Sequence, residues 1–227
     1  MATSSESLGR ASSRPGLGTS AGETRVSRVN RTEFFRRSSS PDAVASFHYN
    51  DEDGAKAMAD QLGGGSKRSG LFSAADGRLR TGLVGNGWRS ETYPSLEARG
   101  KRIFIGRQTA TYAIRLENRT DKRMEVIVTV DGLNTLNGQP ASYSQHGYVL
   151  AAHQSADIDG FRINDEKVKE FRFGTVAESK AAKSGGARNV GVIGLAVFDE
   201  DERQRKAFLG TEQFRREDAD AFPVSVP

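Results

Sequence analysis

The sequence predicts a mainly β protein: an antiparallel β-sandwich with two short helices, preceded by a long extended N-terminal arm. Several segments between residues 96 and 200 alternate apolar and polar side chains with the period of two that is typical of half-buried strands. Turn-forming residues separate these segments. The first 90 residues instead hold 13 glycines and 15 serines, which bury little apolar surface and favour an arm.

The changes in composition divide the chain into three predicted parts. Residues 1–95 are predicted to be an extended, low-complexity arm, residues 96–200 a β-sandwich domain, and residues 201–227 a charged C-terminal tail. The mean hydropathy of −0.58 supports a chain that is only partly packed. Within the arm, the run "DGAKAMADQL" predicts a short helix near residues 53–62, which Gly63 ends.

An arginine and phenylalanine cluster is the most distinctive feature of the arm. It contains Arg25, Arg28, Arg31, Phe34, Phe35, Arg36 and Arg37. Aromatic and arginine side chains are the usual anchors of protein interfaces, so the favoured interpretation is docking onto a protein. A solvated tail and a nucleic-acid contact through phosphates and base stacking are the alternatives.

Trp88, the only tryptophan, lies among glycines near the end of the arm. A large aromatic side chain buries much apolar area. We therefore expect it to pack on the following domain or on a partner.

The strands of the domain are assigned in chain order. "RIFIG" predicts a short strand, and "TYAIRLEN" places Tyr112, Ile114 and Leu116 on one face. "RMEVIVTVDG" continues the alternation after a short polar turn, so these two runs predict an antiparallel hairpin. "GYVLA", "SADIDGF" and "EFRFG" predict three further strands.

The last strand and two helices complete the domain. Residues 190–198 predict a central strand that is apolar on both faces, in which Gly191 and Gly194 mark a bulge or a close chain approach. "NDEKVKEF" predicts a short helix capped by Asn164, and "TVAESKAAKSGG" predicts one from Thr175 to Gly185. The connectivity is left open between Ig-like and jelly-roll.

Residues 131–143 form the longest predicted loop of the domain. Turn dipeptides occur at Asp131 and Asn137, each followed by glycine. Loops carry function more often than the scaffold does, so Asn134, Asn137 and Tyr143 are candidate partner-binding residues. The alternative is a structural crossover between the two sheets.

No motif predicts an enzyme, a cofactor or a metal site. The glycines at 191 and 194 do not match the dinucleotide fingerprint, and residues 63–70 do not match a phosphate-binding loop. The chain has no cysteine, and its three histidines are too scattered for metal-ligand spacing.

Five pieces of the domain carry a resemblance to a known family. They are "VTVDGLNTLNGQPAS", "GYVL", "IDGFR", "FRFG" and "NVGVIGLAVF". Over about residues 112–200 the chain resembles a family of functionally uncharacterised bacterial and phage β-sandwich proteins. The resemblance implies one compact domain and no transferable catalytic residue. The arm and the tail lie outside it.

These observations predict a non-enzymatic structural or interaction protein. The favoured setting is a subunit of a larger assembly such as a phage virion, as a decoration, cement or head–tail component that docks through its arm. A soluble binding module that uses residues 131–143 for a peptide or glycan, and a nucleic-acid-associated protein, are the alternatives. We expect protein partners in a homo- or hetero-oligomer, no membrane, and a cytoplasmic or virion location, because no secretory signal is visible.

Overall fold

A computed structural model describes residues 14–86 and 90–217 of the chain. Two β-sheets, here called sheet I and sheet II, pack on one hydrophobic core to which both contribute. The predicted mainly β sandwich is therefore confirmed. Alternating strand residues supply the core from both sheets, which is the usual packing of such a fold.

Sheet I contains seven strands. They are β1 (Leu17–Val26), β4 (Phe72–Ala74), β5 (Leu79–Gly85), β8 (Thr111–Asn118), β12 (Ser155–Ile158), β13 (Gly160–Arg162) and β14 (Lys167–Thr175). The order across the sheet is β1-β14-β8-β5-β4, with β12 beside β8 and β13 beside β14. All of these pairs are antiparallel.

Sheet II contains eight strands. They are β2 (Ala43–Asn50), β3 (Ser66–Arg68), β6 (Ser95–Ala98), β7 (Lys101–Ile105), β9 (Met124–Val130), β10 (Leu133–Asn134), β11 (Tyr148–Leu150) and β15 (Val192–Asp199). The order is β10-β9-β15-β2-β7-β6-β3, with β11 beside β9. Strands β2 and β7 are parallel, whereas the other pairs are antiparallel.

In the described residues, three α-helices accompany the sheets: α1 (Glu52–Gln61), α2 (Lys180–Lys183) and α3 (Glu202–Glu217). Helix α1 agrees with the helix predicted near residues 53–62. The Asp51 carboxylate caps it by accepting a hydrogen bond of 2.8 Å from the Gly54 N–H. Ala55 and Ala59 pack on Ile103 and its neighbours, so α1 covers part of the outer face of sheet II.

Aromatic side chains fill one part of the core between the sheets. Tyr49 of sheet II meets Tyr112 and Phe173 of sheet I, Tyr112 also meets Phe171, and all four side chains are buried. The rings of Tyr112 and Phe173 stack with 4.4 Å between their centroids. Such ring pairs add to the free energy of area burial, so this cluster holds the two sheets together.

The predicted arm over residues 1–95 is wrong for the residues that the structure describes. β1 pairs along β14, and β2 lies inside sheet II between β15 and β7. Gly18 of β1 serves close packing, because a Cβ at this position would lie 2.7 Å from Ser179 Cβ. Residues 1–13 lie outside the described residues.

The predicted hairpin of β8 and β9 is also wrong. Both strands are half-buried as predicted, with Tyr112, Ile114, Val126 and Val128 in the core. However, β8 belongs to sheet I and β9 to sheet II, so the turn between them crosses the sandwich. A period of two reports which face is buried, whereas it does not report the sheet.

The helix predicted from Asn164 is instead a hairpin turn followed by β14. The Asn164 side chain accepts hydrogen bonds of 2.9 Å from the N–H groups of Glu166 and Lys167. Val168, Phe171 and Phe173 are buried along β14. This cross-strand packing outweighs the helix propensity of the polar residues.

Two further boundaries differ from the prediction. The helix predicted from Thr175 is shorter, because Ser179 caps α2 by accepting a 3.1 Å hydrogen bond from the Ala182 N–H. The predicted C-terminal tail begins with the 16-residue helix α3. Residues 218–227 lie outside the described residues.

Candidate functional site

An apolar groove lies on the outer face of sheet II, over the adjacent strands β9, β15 and β2. It has a volume of about 420 Å³. Its floor consists of side chains that alternate with core-facing ones along these strands: Val44, Ile127, Thr129, Gly194 and Ala196. Helix α1 covers β6 and β7 instead, so the groove lies on the part of the sheet that α1 leaves open.

Gly194 has no side chain, so the middle of the floor is backbone. A Cβ at this position would lie 2.6 Å from Thr129 Oγ1, so any larger residue displaces Thr129 or fills the groove. Val44, which lies opposite Ala196 in the strand register, is 57% exposed although it is a large aliphatic residue on a central strand. An apolar floor of this kind favours an apolar occupant.

One wall of the groove comes from residues 141–143 of the predicted loop. The loop starts with a tight turn in which Asp131 and Gly132 both have positive φ, 56° and 81°. Such turns match the twist of paired strands, and they bring β10 back against β9. The ring of Tyr143 stands at the rim and is 52% exposed.

Arg36 fixes this wall to the sheet. Its Nε donates a 2.6 Å hydrogen bond to Glu125 Oε2, and its two Nη groups donate to the carbonyl oxygens of Tyr143 and Gln145. Its guanidinium lies 3.8 Å from the centre of the Phe198 ring. The other Glu125 oxygen accepts a 2.6 Å hydrogen bond from the Gly147 N–H, so this nearly buried ion pair is fully hydrogen-bonded.

Phe34 extends the apolar surface next to Arg36. It packs on Ile127, Ala196 and Phe198, which form a small cluster on the outer face of sheet II. The Arg123 guanidinium lies 5.8 Å from the centre of the Phe34 ring. The residues around Phe34 therefore act as a cover for one end of the groove.

Asn134 holds the loop from below. It is buried, and its Nδ2 donates hydrogen bonds of 3.1 and 3.3 Å to Gln145 Oε1 and to the His146 carbonyl. Asn137 is exposed at the loop tip, where its Oδ1 accepts a 2.9 Å hydrogen bond from the Gln139 N–H. Asn134 therefore shapes the wall, while Asn137 lies outside the groove.

The remaining predicted residues lie elsewhere. Arg25 and Arg31 belong to the side of sheet I, where they form ion pairs of 3.6 and 2.9 Å with Glu170 and Asp165. Arg28 is exposed in the same segment. Phe35 packs on Phe208 of α3 at 5.5 Å, and Arg37 pairs with Asp42 and Asp199. Trp88 lies outside the described residues.

Sequence reasoning thus found the cover and part of the wall but missed the floor. It singled out Phe34, Arg36, Asn134 and Tyr143, and the structure brings these together. It missed Val44 and Gly194, which lie on neighbouring strands far apart in the chain. The signal that could have identified Val44 is the strand alternation of residues 43–50, which the serine-rich surroundings obscured.

A buried polar cluster lies between the same loop and β1. The Asp131 carboxylate accepts hydrogen bonds from the Tyr49 hydroxyl at 2.6 Å and from the N–H groups of Thr19 and Gly191 at 2.9 Å. Thr19 Oγ1 lies 2.6 Å from the Tyr112 hydroxyl. Burial raises the pKa of Asp131 to about 6. Both carboxylate oxygens are hydrogen-bonded, so the cluster joins the sheets rather than offering a group to a ligand.

The polar groups that line the groove are hydroxyls. In the described part of the chain, none of the lining side chains carries a charge. Thr129 Oγ1 donates weakly to the Gly194 carbonyl at 3.4 Å, and Ser142 Oγ lies 2.9 Å from Ser144 Oγ. The arrangement can bind an apolar segment, and it places no acid or base beside a hydroxyl nucleophile.

Among residues 14–86 and 90–217, no group of three or more His, Asp or Glu side chains is placed to hold a metal ion. No helix in the same ranges is both long and apolar enough to cross a bilayer.

No family model, no curated protein and no solved structure matches this chain. The resemblance to uncharacterised bacterial and phage proteins therefore stays a prediction, and function has to be argued from the groove.

Proposed function

We propose that this chain is a non-enzymatic interaction protein that binds an extended, apolar polypeptide segment in the groove on sheet II. The observation that carries the proposal is the lining of the groove. Val44 presents exposed aliphatic surface over the buried side chains of Ile127 and Ala196, and Tyr143 adds an exposed aromatic ring at the rim. Apolar pockets with an aromatic rim are typical of binding sites for protein segments.

The chemistry of the floor favours a peptide over a glycan. A sugar would place hydroxyl groups against Val44, where no carboxylate or amide side chain of the lining can satisfy them. Apolar side chains of a peptide would be desolvated there without such a loss. The rigid wall around Arg36 lowers the entropy that binding would otherwise cost.

The proposal keeps the predicted class of protein and changes the surface that docks. The N-terminal residues 14–86 build the sandwich itself, so they supply the groove rather than a free arm. A subunit of a larger assembly remains the setting that we favour. The virion setting and the nucleic-acid alternative both stay predictions.

The test is a selection of random decapeptides against the full chain. We expect the wild-type protein to enrich peptides with apolar residues at alternate positions. Val44→Asp places a charge on the floor at a position that is 57% exposed, so folding is kept and the enrichment is lost. The matched control is Val26→Asp on sheet I, where Val26 is 63% exposed. This variant is expected to retain the peptide enrichment.

Two outcomes would overturn the proposal. One is enrichment that is the same for Val44→Asp and the wild-type protein, which would place binding elsewhere. The other is a failure to enrich any peptide. If the wild-type protein binds an oligosaccharide array and Val44→Asp abolishes that binding, the ligand of the groove is a glycan and not a peptide.

A further inference from the structure

Strand β1 forms one edge of sheet I, because β14 is its only strand neighbour in the described part of the chain. It has 10 residues, whereas the strands at the other ends of the two sheets are short: β4 and β3 have 3 residues each and β10 has 2. Short edge strands are a common protection against pairing with another chain. The long edge of β1 lacks this protection.

Side chains close the first half of this edge. The Leu17 N–H donates a 2.9 Å hydrogen bond to Asn50 Oδ1, and the Thr19 N–H donates one of 2.9 Å to Asp131 Oδ2. Residues 17–19 are also buried. A further strand therefore has no access to this half of β1.

The backbone groups of Val26, in the second half, face away from β14. Val26 lies opposite Lys167 in the strand register. The Lys167 carbonyl oxygen accepts a 2.9 Å hydrogen bond from the Ile163 N–H, on the far side of β14. Val26 and Lys167 therefore form a non-hydrogen-bonded pair, and the N–H and C=O groups of Val26 point outwards.

The outward orientation extends to Thr24 and Arg28. The Ser27 N–H donates a 2.7 Å hydrogen bond to the Glu166 carbonyl oxygen, so inward and outward backbone groups alternate along this segment. Within the described chain, no group forms a hydrogen bond with the outward backbone groups of Thr24, Val26 or Arg28. Residues 24–28 thus form an open edge, which is a template for a further strand.

The open edge is bounded on both sides. A β-bulge between Ala21 and Thr24 bends the strand before it. After it, the Val29 N–H donates a 2.9 Å hydrogen bond to the Asp165 carbonyl oxygen, and Val29 packs against the core. The edge therefore fits a short segment better than a long foreign strand.

Residues 24–28 of a second copy are such a segment. In an antiparallel register centred on Val26, the two Val26 residues lie opposite each other, and Thr24 lies opposite Arg28 of the second copy. Every outward backbone group of one copy then faces an outward group of the other. The Val26 side chain, 63% exposed in the single chain, is covered by its own counterpart.

The charges around the edge do not oppose this pairing. In the same register Arg25 lies opposite Ser27 of the second copy, so no two like charges are opposed. Basic and acidic residues near the edge also almost balance: Arg25, Arg28, Arg31, Lys167 and Lys169 against Glu23, Asp165, Glu166 and Glu170.

We propose that two copies of this chain form a two-fold symmetric dimer in which residues 24–28 pair as antiparallel edge strands. The contact supplies up to about six backbone hydrogen bonds and joins the two copies of sheet I into one continuous sheet. It is isologous, so it closes after two subunits. It uses sheet I and does not depend on the groove of sheet II.

Analytical ultracentrifugation of the full chain over a range of micromolar concentrations tests the dimer. We expect a concentration-dependent dimer. Val26→Lys places two like charges at the two-fold axis and is expected to raise the dimer dissociation constant at least tenfold. The matched control is Val44→Lys on sheet II, where Val44 is 57% exposed, and it is expected to leave the dissociation constant unchanged.

Engineered disulfides test the register, because the chain contains no cysteine. Opposed residues of a hydrogen-bonded antiparallel pair have Cα atoms about 5.5 Å apart, which suits a disulfide. We expect Val26→Cys chains to form a disulfide-linked dimer at least tenfold faster than Val44→Cys chains under the same oxidant. This comparison also decides the case if Val26→Lys fails to fold.

Three outcomes would overturn the inference. A wild-type chain that sediments as a monomer throughout would leave the edge to residues 1–13 of the same chain or to a different protein. A dimer that Val26→Lys and Val44→Lys weaken equally would place the contact on another surface. Equal rates of disulfide formation for Val26→Cys and Val44→Cys would show that the two Val26 residues do not meet.

Discussion

Arg36 is the residue on which the wall of the groove depends. It joins Glu125 of β9, the carbonyl oxygens of residues 143 and 145, and the ring of Phe198. Replacing Arg36 by methionine keeps much of the apolar volume but leaves the nearly buried Glu125 carboxylate without its cation. We expect Arg36→Met to lower the free energy of unfolding by about 3 kcal/mol, measured by urea denaturation.

The adjacent residue provides the control for this prediction. Arg37 also forms ion pairs, with Asp42 and Asp199, but its side chain is 59% exposed. Exposed pairs contribute little because solvent screens them, so Arg37→Met should lower the free energy of unfolding much less than Arg36→Met does. Equal losses for the two variants would contradict the role assigned to Arg36.

The raised pKa of Asp131 makes part of the free energy of unfolding depend on pH. Burial raises its pKa from 3.8 to about 6, so between these values the folded chain holds a proton that the unfolded chain releases. The stability that this provides is complete below about pH 4 and is lost as the pH rises through about 6. The rise in pKa corresponds to about 3 kcal/mol.

The measurement compares urea denaturation of the wild-type protein and Asp131→Asn from pH 4 to pH 7. Asparagine tolerates the positive φ of this position and does not titrate. We expect the wild-type free energy of unfolding to fall relative to that of the variant over this range. Parallel pH profiles would show that Asp131 does not hold the proton.

The chain entering β11 passes close to the backbone of β9 at Gly147. A Cβ on Gly147 would lie 2.4 Å from the Val126 carbonyl oxygen, which is backbone and cannot rotate away. Gly147→Ala should therefore lower the free energy of unfolding by about 2 kcal/mol and loosen the wall next to Tyr143. Circular dichroism during urea denaturation measures the change.

Gly210 in α3 is the matched position for this substitution. A Cβ there meets nothing within 4 Å, and the residue is helical. Gly210→Ala should raise the stability of the helix by up to about 1 kcal/mol, because alanine has the higher helix propensity. A Gly147→Ala protein as stable as Gly210→Ala would disprove the close approach.

For β8 and β9, the predicted burial was right and the predicted pairing was wrong. The alternation in β8 and β9 predicted two half-buried strands correctly, because burial of one face depends on the local order of side chains. The sheet to which each strand belongs depends on partners far along the chain, such as β14 and β15. A short turn is compatible with either arrangement, so the local sequence could not distinguish them.

At the scale of the whole molecule, residues 17–85 are part of the sandwich rather than an arm. β2 lies between β15 and β7, with Phe47 and Tyr49 in the core. Limited proteolysis of the purified chain, with fragments identified by mass spectrometry, should leave a core that retains β1 and β2. Rapid trimming to a fragment that starts near residue 95 would instead restore the arm that the sequence predicted.

The sequence by itself determined the class of the fold and its buried faces. Alternating apolar residues, turn dipeptides and the cap at Asp51 act over a few neighbours, so their consequences can be read locally. Only the tertiary structure decided which strands share a sheet, that β1 and β2 of the glycine- and serine-rich part belong to the sandwich, and that Val44, Thr129, Gly194 and Arg36 meet at one groove. The groove arises from contacts such as that of Thr129 with Gly194, 65 positions apart, and that of Arg36 with Glu125, 89 positions apart, whose pairing depends on the packing of the whole sandwich.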